Sequence, residues 1–499
     1  MIRKIDRHGP TSLGGGAPEG AQRAGSTGGC RRRARVTGAA FSLAQALGCA
    51  PIAPEDKGRD SAPADTAAAD SGATSGGGSD CDIDALQRQI DEAEPGATVT
   101  ACPGLLLGNL VLWQDVHLQG HPEGTTLRAS APGPTVRVIS GSATLEGLQI
   151  EGGTGVSEQG FSDEDQTVGG GVNAWRSAGL TLRRCGVRDN RAHWGAGVMG
   201  SEDGLTILED SVIEGNIAET MAGGVWMRQG ELRGSVIQGN SAPYAGGLAL
   251  RRRADSPPVT VALHDPLIEN NDGDVQGGGV LVTGDASLTG GRLLGNRSQM
   301  GANLHAYTWS GALVDTLLAR GEAQVGGGGA LVEDSPAGSF VRVQIEDNQS
   351  LMPGLEPTGN VAGGLWVSNS ALTVDDSVLR GNSANFGGGA LMAATAEFAP
   401  TARLSLRGSL LEGNAAGDRG GALAIVNGEL LVAGGALQGN TAAAGGALHL
   451  SGGAAIVLGA DFSSGAENSP TDIQVEGMAG IDAPASGSLR CDPAGCVAD

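Results

Sequence analysis

Apolar residues along this chain come in short runs separated by Gly and Asn. Residues 420–440, GGALAIVNGELLVAGGALQGN, hold three such runs, Ala422–Val426, Glu429–Val432 and Ala436–Gln438. Runs of this length predict strands and are too short for helices. The pattern recurs as VIEGNIAETMAGGVW (212–226), VIQGNSAPYAGGLA (236–249), VLRGNSANFGGGAL (378–391), LLEGNAAGDRGGAL (410–423) and LQGNTAAAGGAL (437–448). Its asparagines are Asn190, Asn216, Asn240, Asn270, Asn296, Asn348, Asn382, Asn414 and Asn440, separated by 26, 24, 30, 26, 52, 34, 32 and 26 residues. The 52 is two periods of 26, with Glu322 where an asparagine would stand.

A fixed period in the twenties means a solenoid. Three short strands per period predict an all-β chain, a single-stranded right-handed parallel β-helix, with coils stacked about 4.8 Å apart. Leucine-rich-repeat spacing and propeller-blade signatures are absent. Stacked turn asparagines would bond the backbone of their own turn and one another, pairing groups that cost about 1–3 kcal/mol each when buried alone. Gly-Gly would supply corner conformations that a Cβ forbids.

The paired G-N and G-G-A-L elements over about 168–450 resemble the repeats of the polymorphic outer-membrane protein family, in which F-x-x-N combines with G-G-A-[ILV]. Here Val, Leu or Ile replaces the Phe, and about fifty residues follow the last repeat, too few for that family's membrane barrel. The resemblance implies a surface-exposed right-handed β-helix and no chemistry of its own.

Composition suits thin coils: 87 of 499 residues are Gly, and aromatics are 3%. The net charge of −23, with lysine only at Lys4 and Lys57, leaves nothing basic enough for nucleic acid and argues against binding anionic polymers. About 360 residues of coil (105–460) form one domain.

The segment 1–49 reads as a leader. Arg31–Arg35 precedes the apolar stretch Val36–Leu47 and the sequence Ala46-Leu47-Gly48-Cys49, which together resemble a bacterial lipoprotein signal with Cys49 as the lipidation site. Ala50 gives no Asp-type inner-membrane retention signal, so the expected location is the outer membrane or cell surface, with secretion as the alternative. The membrane would be engaged through the lipid anchor only. Residues 50–80, rich in Pro, Asp, Ala, Thr, Gly and Ser, read as a flexible tether.

An N-terminal cap is expected at 81–104: Asp82 is a plausible N-cap, and Ile83, Leu86, Ile90 and Ala93 follow helical spacing. Such a helix would cover the open end of the first coil. A C-terminal cap or tail is expected at 461–499. Cys81 and Cys102 flank the helix, and Cys491 and Cys496 enclose CDPAGC, so two local disulfides are expected, one at each end. No metal site is read, because the pairs lie at opposite ends without a completing His; Cys185 is left as a small core residue.

Parallel β-helices include polysaccharide lyases and hydrolases, so chemistry has to be weighed. The galacturonase-like N-T-D, G-H-G and R-I-K elements and the pectate-lyase-like R-x-P-x-x-R are absent, and the histidines are scattered over different coils. Asp375-Asp376 occupies the same repeat slot as Glu209-Asp210, which marks a scaffold slot rather than an acid/base pair. Arg251-Arg252-Arg253 reads as a strand end, with an anionic-sugar contact as its functional alternative. Asp163, Glu164 and Asp165 offer oxygens for Ca2+ without a calcium-loop spacing; a solvated acidic loop is the alternative, and no other cofactor is implied. No catalytic residue is named.

An interaction surface is suggested by the residues after each Gly-Gly. The first and third, such as Val225/Met227, Val280/Val282 and Leu365/Val367, should point inward. The second, Trp226, Leu281, Leu331, Trp366, Leu391 and Leu423, would then form an exposed apolar stripe for a glycan or partner protein, unless loops cover it or the parity is reversed. Two functions stand: a non-catalytic, lipid-anchored surface β-helix serving adhesion, envelope structure or binding, and a polysaccharide lyase or glycoside hydrolase on the same fold.

Overall fold

A computed structural model describes residues 81–499 except 159–165, 252–259, 352–360, 395–401 and short stretches beyond 452; of 480–498 it describes the backbone alone. The leader with Cys49, the tether, and Asp163, Glu164 and Asp165 lie outside the described residues.

The chain is a parallel β-helix. A coil runs through three strands, as in Ala97–Thr100, Gly104–Leu107 and Leu110–Leu112, or through four, as in Leu205–Glu209, Val212–Glu214, Ile217–Met221 and Val225–Met227, before returning at Gly230–Arg233. Stacked coils build three long sheets of 15, 13 and 14 strands, here called A, B and C. The extra strand of the four-strand coils contributes to smaller sheets of 4 and 6 strands, together called D. Every pairing in A, B and C is parallel, as in Leu248↔Val280 and Val280↔Leu304. The strands Leu423–Val426, Glu429–Ala433 and Ala436–Gln438 match the runs read from the sequence.

The D strand is the departure from a three-strand coil. It lies between the Asn and the Gly-Gly and is short and polar on one side, as in Ala415–Arg419 with Asp418 exposed. Its ladder is also interrupted by register shifts, for example between Ala192 and Trp194. Such a segment has no clean two-residue alternation to read.

The core fills the coil interior with Leu, Val and Ile from sheets A, B and C, such as Leu208, Ile213 and Val225. Beside it runs the asparagine ladder. Asn216 Oδ1 accepts from the Asn190 amide N–H and from Asn190 Nδ2, at 3.1 and 2.9 Å. Asn216 Nδ2 donates to the Val187 carbonyl at 3.0 Å. The same exchange links Asn240, Asn271, Asn296, Asn348, Asn382, Asn414, Asn440 and Asn468.

Two positions differ from the sequence reading. Asn271, not Asn270, is the rung; Asn270 precedes it with φ 53°, the left-handed slot filled elsewhere by Gly215 or Asp189. The slot opposite Asn296 is Gly321, not Glu322, since Arg297 pairs with Glu322. Asn303, one strand corner away, reaches into that space. It accepts from Asn296 Nδ2 at 2.9 Å and donates to Asn348 Oδ1 at 3.0 Å, so the ladder is unbroken.

Gly-Gly acts mainly through space. A Cβ on Gly223 would lie 2.5 Å from the Ser241 carbonyl oxygen, and one on Gly389 would lie 2.7 Å from that of Ala422. The left-handed residue is the one before the pair, and Ala222, Ala245 and Ala362 adopt it as glycines do elsewhere.

The N-terminal end is covered by helix α1 (Ile83–Glu92), whose N-cap Asp82 accepts from the Ala85 amide at 2.8 Å. Leu86 and Ile90 enter the core. Gln87 bonds both the carbonyl and the amide of Val111, at 2.8 and 2.9 Å, pairing backbone at the open edge of sheet C. The Cys81–Cys102 disulfide ties the chain before the helix to the first coil. Past residue 460, Ile473–Glu476 still pairs in sheet C and Gly480–Asp482 in sheet A, so coiling continues there. A hairpin, Leu489–Asp492 with Gly495–Ala498, sets Cys491 opposite Cys496.

Candidate functional site: the outer face of sheet C

The stripe predicted as exposed points away from the coil interior but is covered. Trp226, Leu281, Leu331, Trp366 and Leu391 are all at most 7% exposed. Met199, Trp226, Ala249 and Leu281 pack with Val168 and Met221 of sheet D in one cluster. Leu331, Trp366, Leu391 and Ala424 form another, with Met300 and Val325 of sheet D against it. The D strand folds back over sheet C and makes a second apolar layer. Leu423 belongs to the main core: it pairs with Ala390, while Ala424 pairs with Leu391. The 420 repeat has Ala422 where others have the second Gly, so counting from Gly420-Gly421 shifts the parity by one.

Polar atoms stand in this layer without hydrogen-bond partners: Trp226 Nε1, Trp366 Nε1, His305 Nδ1 and His449 Nε2. His305 lies between Leu281 and Leu331 in register. Its Nε2 meets Glu333 at 3.1 Å and its ring stands edge-on to Tyr307. Burial, then the charges of Asp334 and Glu333, push the Tyr307 hydroxyl above its ordinary pKa. His449 has a depressed pKa because burial disfavours its charged form, against an opposing pull from Glu476.

At the N-terminal part of the same face, arginines and indoles collect. The guanidinium of Arg228 lies over the rings of Trp175 and Trp226, 5.3 and 5.7 Å from their centroids. The two rings meet edge-on at 5.2 Å. Glu202 holds Arg228 through an ion pair at 2.8 Å. Met227 pairs with Leu250, which sets Arg251 beside Arg228 one coil on. Arg251 is exposed, forms no ion pair with a carboxylate among the described residues, and has Met221 Sδ as a polar contact at 3.9 Å. Surrounding protein, then the like charge of Arg228, lower its pKa from the ordinary guanidinium value. Arg137 and Arg176 share Glu158, at 2.8 and 3.5 Å. Among the described residues, Arg137, Arg176, Arg228 and Arg251 thus collect on this part of the face.

The sequence marked Arg251 through the run Arg251-Arg252-Arg253, as a strand end with an anionic-sugar contact as its alternative, and gave Arg228 no functional role. Trp175, Arg137 and Arg176 gave no signal, because they come together through coil stacking. Arg252 and Arg253 lie outside the described residues. Asp210 and Asp376 both have φ 48°, the conformation of a turn slot. Cys185 is buried, and burial raises its thiol pKa to about 11. Among the described residues no group of three or more His, Cys, Asp and Glu is arranged to hold a metal ion, and no helix is long and apolar enough to cross a membrane.

No family model matches the chain, and no curated protein matches it. Among solved structures it is similar to PfbA, a surface adhesin of Streptococcus pneumoniae, with 10% identity over 83% of this chain and 94% of that one, at a TM-score of 0.35. It is also similar to a PL6 alginate lyase in complex with a trisaccharide, with 9% identity over 83% and 88%, at a TM-score of 0.29.

Proposed function

We propose that this chain is a non-catalytic, lipid-anchored cell-surface β-helix that serves adhesion or envelope structure by binding a glycan or a surface protein. The observation that carries the reading is the Arg228–Arg251 patch: two neighbouring guanidinium groups that, among the described residues, share a single ion-paired acid, Glu202, on a stack of coils. The resemblance of the repeats to those of polymorphic outer-membrane proteins, and a basic, apolar and Cys49-terminated leader followed by a tether, support display at the cell surface.

The competing reading is a polysaccharide lyase or hydrolase, for which His305, Glu333 and Tyr307 would supply the acid and base. His305 weighs against it: the residue has no exposed surface, so its ring nitrogens do not meet a substrate. Anchoring is tested by Cys49→Ser. The wild type should label with a radioactive fatty acid and fractionate with membranes, and the variant should do neither. An unlabelled wild type would remove the anchor from the proposal.

A further inference from the structure

We infer that the Arg228–Arg251 pair on the outer face of sheet C recognises an anionic glycan, one bearing carboxylate or sulfate groups. This deepens the proposed binding function and rests on it. Arg228 and Arg251 stand on consecutive coils, whose strands lie about 4.8 Å apart in a parallel stack. Among the described residues one acid, Glu202, serves Arg228, and none is ion-paired with Arg251. Like charges so placed repel, and the pKa of Arg251 is lowered first by the protein around it and then by that repulsion. An anion lying across both would relieve it.

The guanidinium fork suits this ligand. It offers paired donors to planar carboxylate or tetrahedral sulfate oxygens and binds them more tightly than neutral acceptors. Arg228 is preorganised: two indole rings fix its plane and Glu202 fixes one edge. Arg251 is the exposed partner, free to meet ligand.

A glycan fits better than a peptide. Protein partners rely on apolar anchors buried at the centre of the interface. On this face the apolar column of Trp226, Leu281, Leu331 and Trp366 is already covered by the chain's own D strands. Strand addition is closed as well, because sheet C pairs on both sides along the stack, as at Leu248 with Val225 and Val280. What remains is a set of charged donors, which calls for a ligand rich in oxygen acceptors.

The test is calorimetric titration of the full chain at low salt with four probes: hexagalacturonate, a heparin hexasaccharide, maltohexaose and hexaglutamate. At least one anionic saccharide should bind, weakening as salt rises, and the neutral maltohexaose should not. Heparin carries carboxylates as well as sulfates, so binding of hexagalacturonate points to carboxylate, and binding of heparin without hexagalacturonate points to sulfate. Arg251→Gln should weaken binding roughly tenfold or more, the scale of a lost charge-assisted contact, with no fall in melting temperature. Arg251→Lys should fall between, since it keeps the charge and loses the fork. Equal binding by wild type and Arg251→Gln, equal binding of maltohexaose, or no anionic saccharide bound would overturn the inference. Tighter hexaglutamate binding would reassign the site to an acidic peptide. Adhesion of the chain to immobilised cell-surface material separates the two levels. Adhesion that persists unchanged in Arg251→Gln sinks the anionic-glycan site alone, and a wild type that adheres to nothing sinks the binding function.

Discussion

At the scale of single residues, two adjacent asparagines do different work. Asn271 is fully buried, and its side chain completes the bonds of the Asn240 turn. Asn270 holds a left-handed conformation that Gly adopts more easily. Asn271→Ala should therefore cost about 1–3 kcal/mol by leaving turn groups unpaired. Asn270→Gly should stay within about 0.5 kcal/mol of wild type. Denaturant midpoints measure both, and equal losses would place the ladder wrongly. The same logic explains Cys185. It stands one coil before Ser211, whose hydroxyl accepts from the Cys185 amide, so the thiol occupies a hydroxyl's slot.

At the scale of elements, the D strand decides what the outside of sheet C is for. An uncovered stripe would make Trp226 and Trp366 solvated, quenchable fluorophores. Under the D strand they are core residues of a second layer. Trp366→Ala should cost about 3–5 kcal/mol. Acrylamide should quench Trp113, which is 59% exposed, far more than Trp366. A stable Trp366→Ala variant that loses the quenchable emission would restore the exposed stripe. The corner at Gly321 shows how the element tolerates a missing rung. A Cβ there would collide with the Gly328 carbonyl and stand 2.6 Å from Asn303 Nδ2. The space vacated at one position of the repeat is used by an asparagine from another.

At the scale of the whole molecule, each coil touches only its neighbours, so stability is a sum of local terms and the ends are where unfolding starts. The N-terminal end relies on helix α1, Gln87 and the Cys81–Cys102 link, which closes a sequence separation of 21 residues. Cys102→Ser should lower the stability of the cap and first coil by about 3 kcal/mol. Hydrogen exchange should then quicken at Leu110–Leu112 and stay slow around the interior strand Leu365–Ser368. Uniform acceleration along the stack would mean that the coils unfold as one unit.

The coil period, the parallel stacking, the inward set of Leu and Val, the Asp82-capped helix and its flanking cysteines were legible in the sequence. Each rests on interactions that repeat locally, so the chain writes them as spacing. Tertiary structure alone decided which of two neighbouring asparagines enters the ladder and how Asn303 stands in for Gly321. It also decided that the outer column of sheet C is covered and that Arg137, Trp175, Arg176, Arg228 and Arg251 meet on one face. Those outcomes depend on where one coil lies over the next, and coils of 24 to 34 residues shift that alignment without leaving a mark in any single repeat.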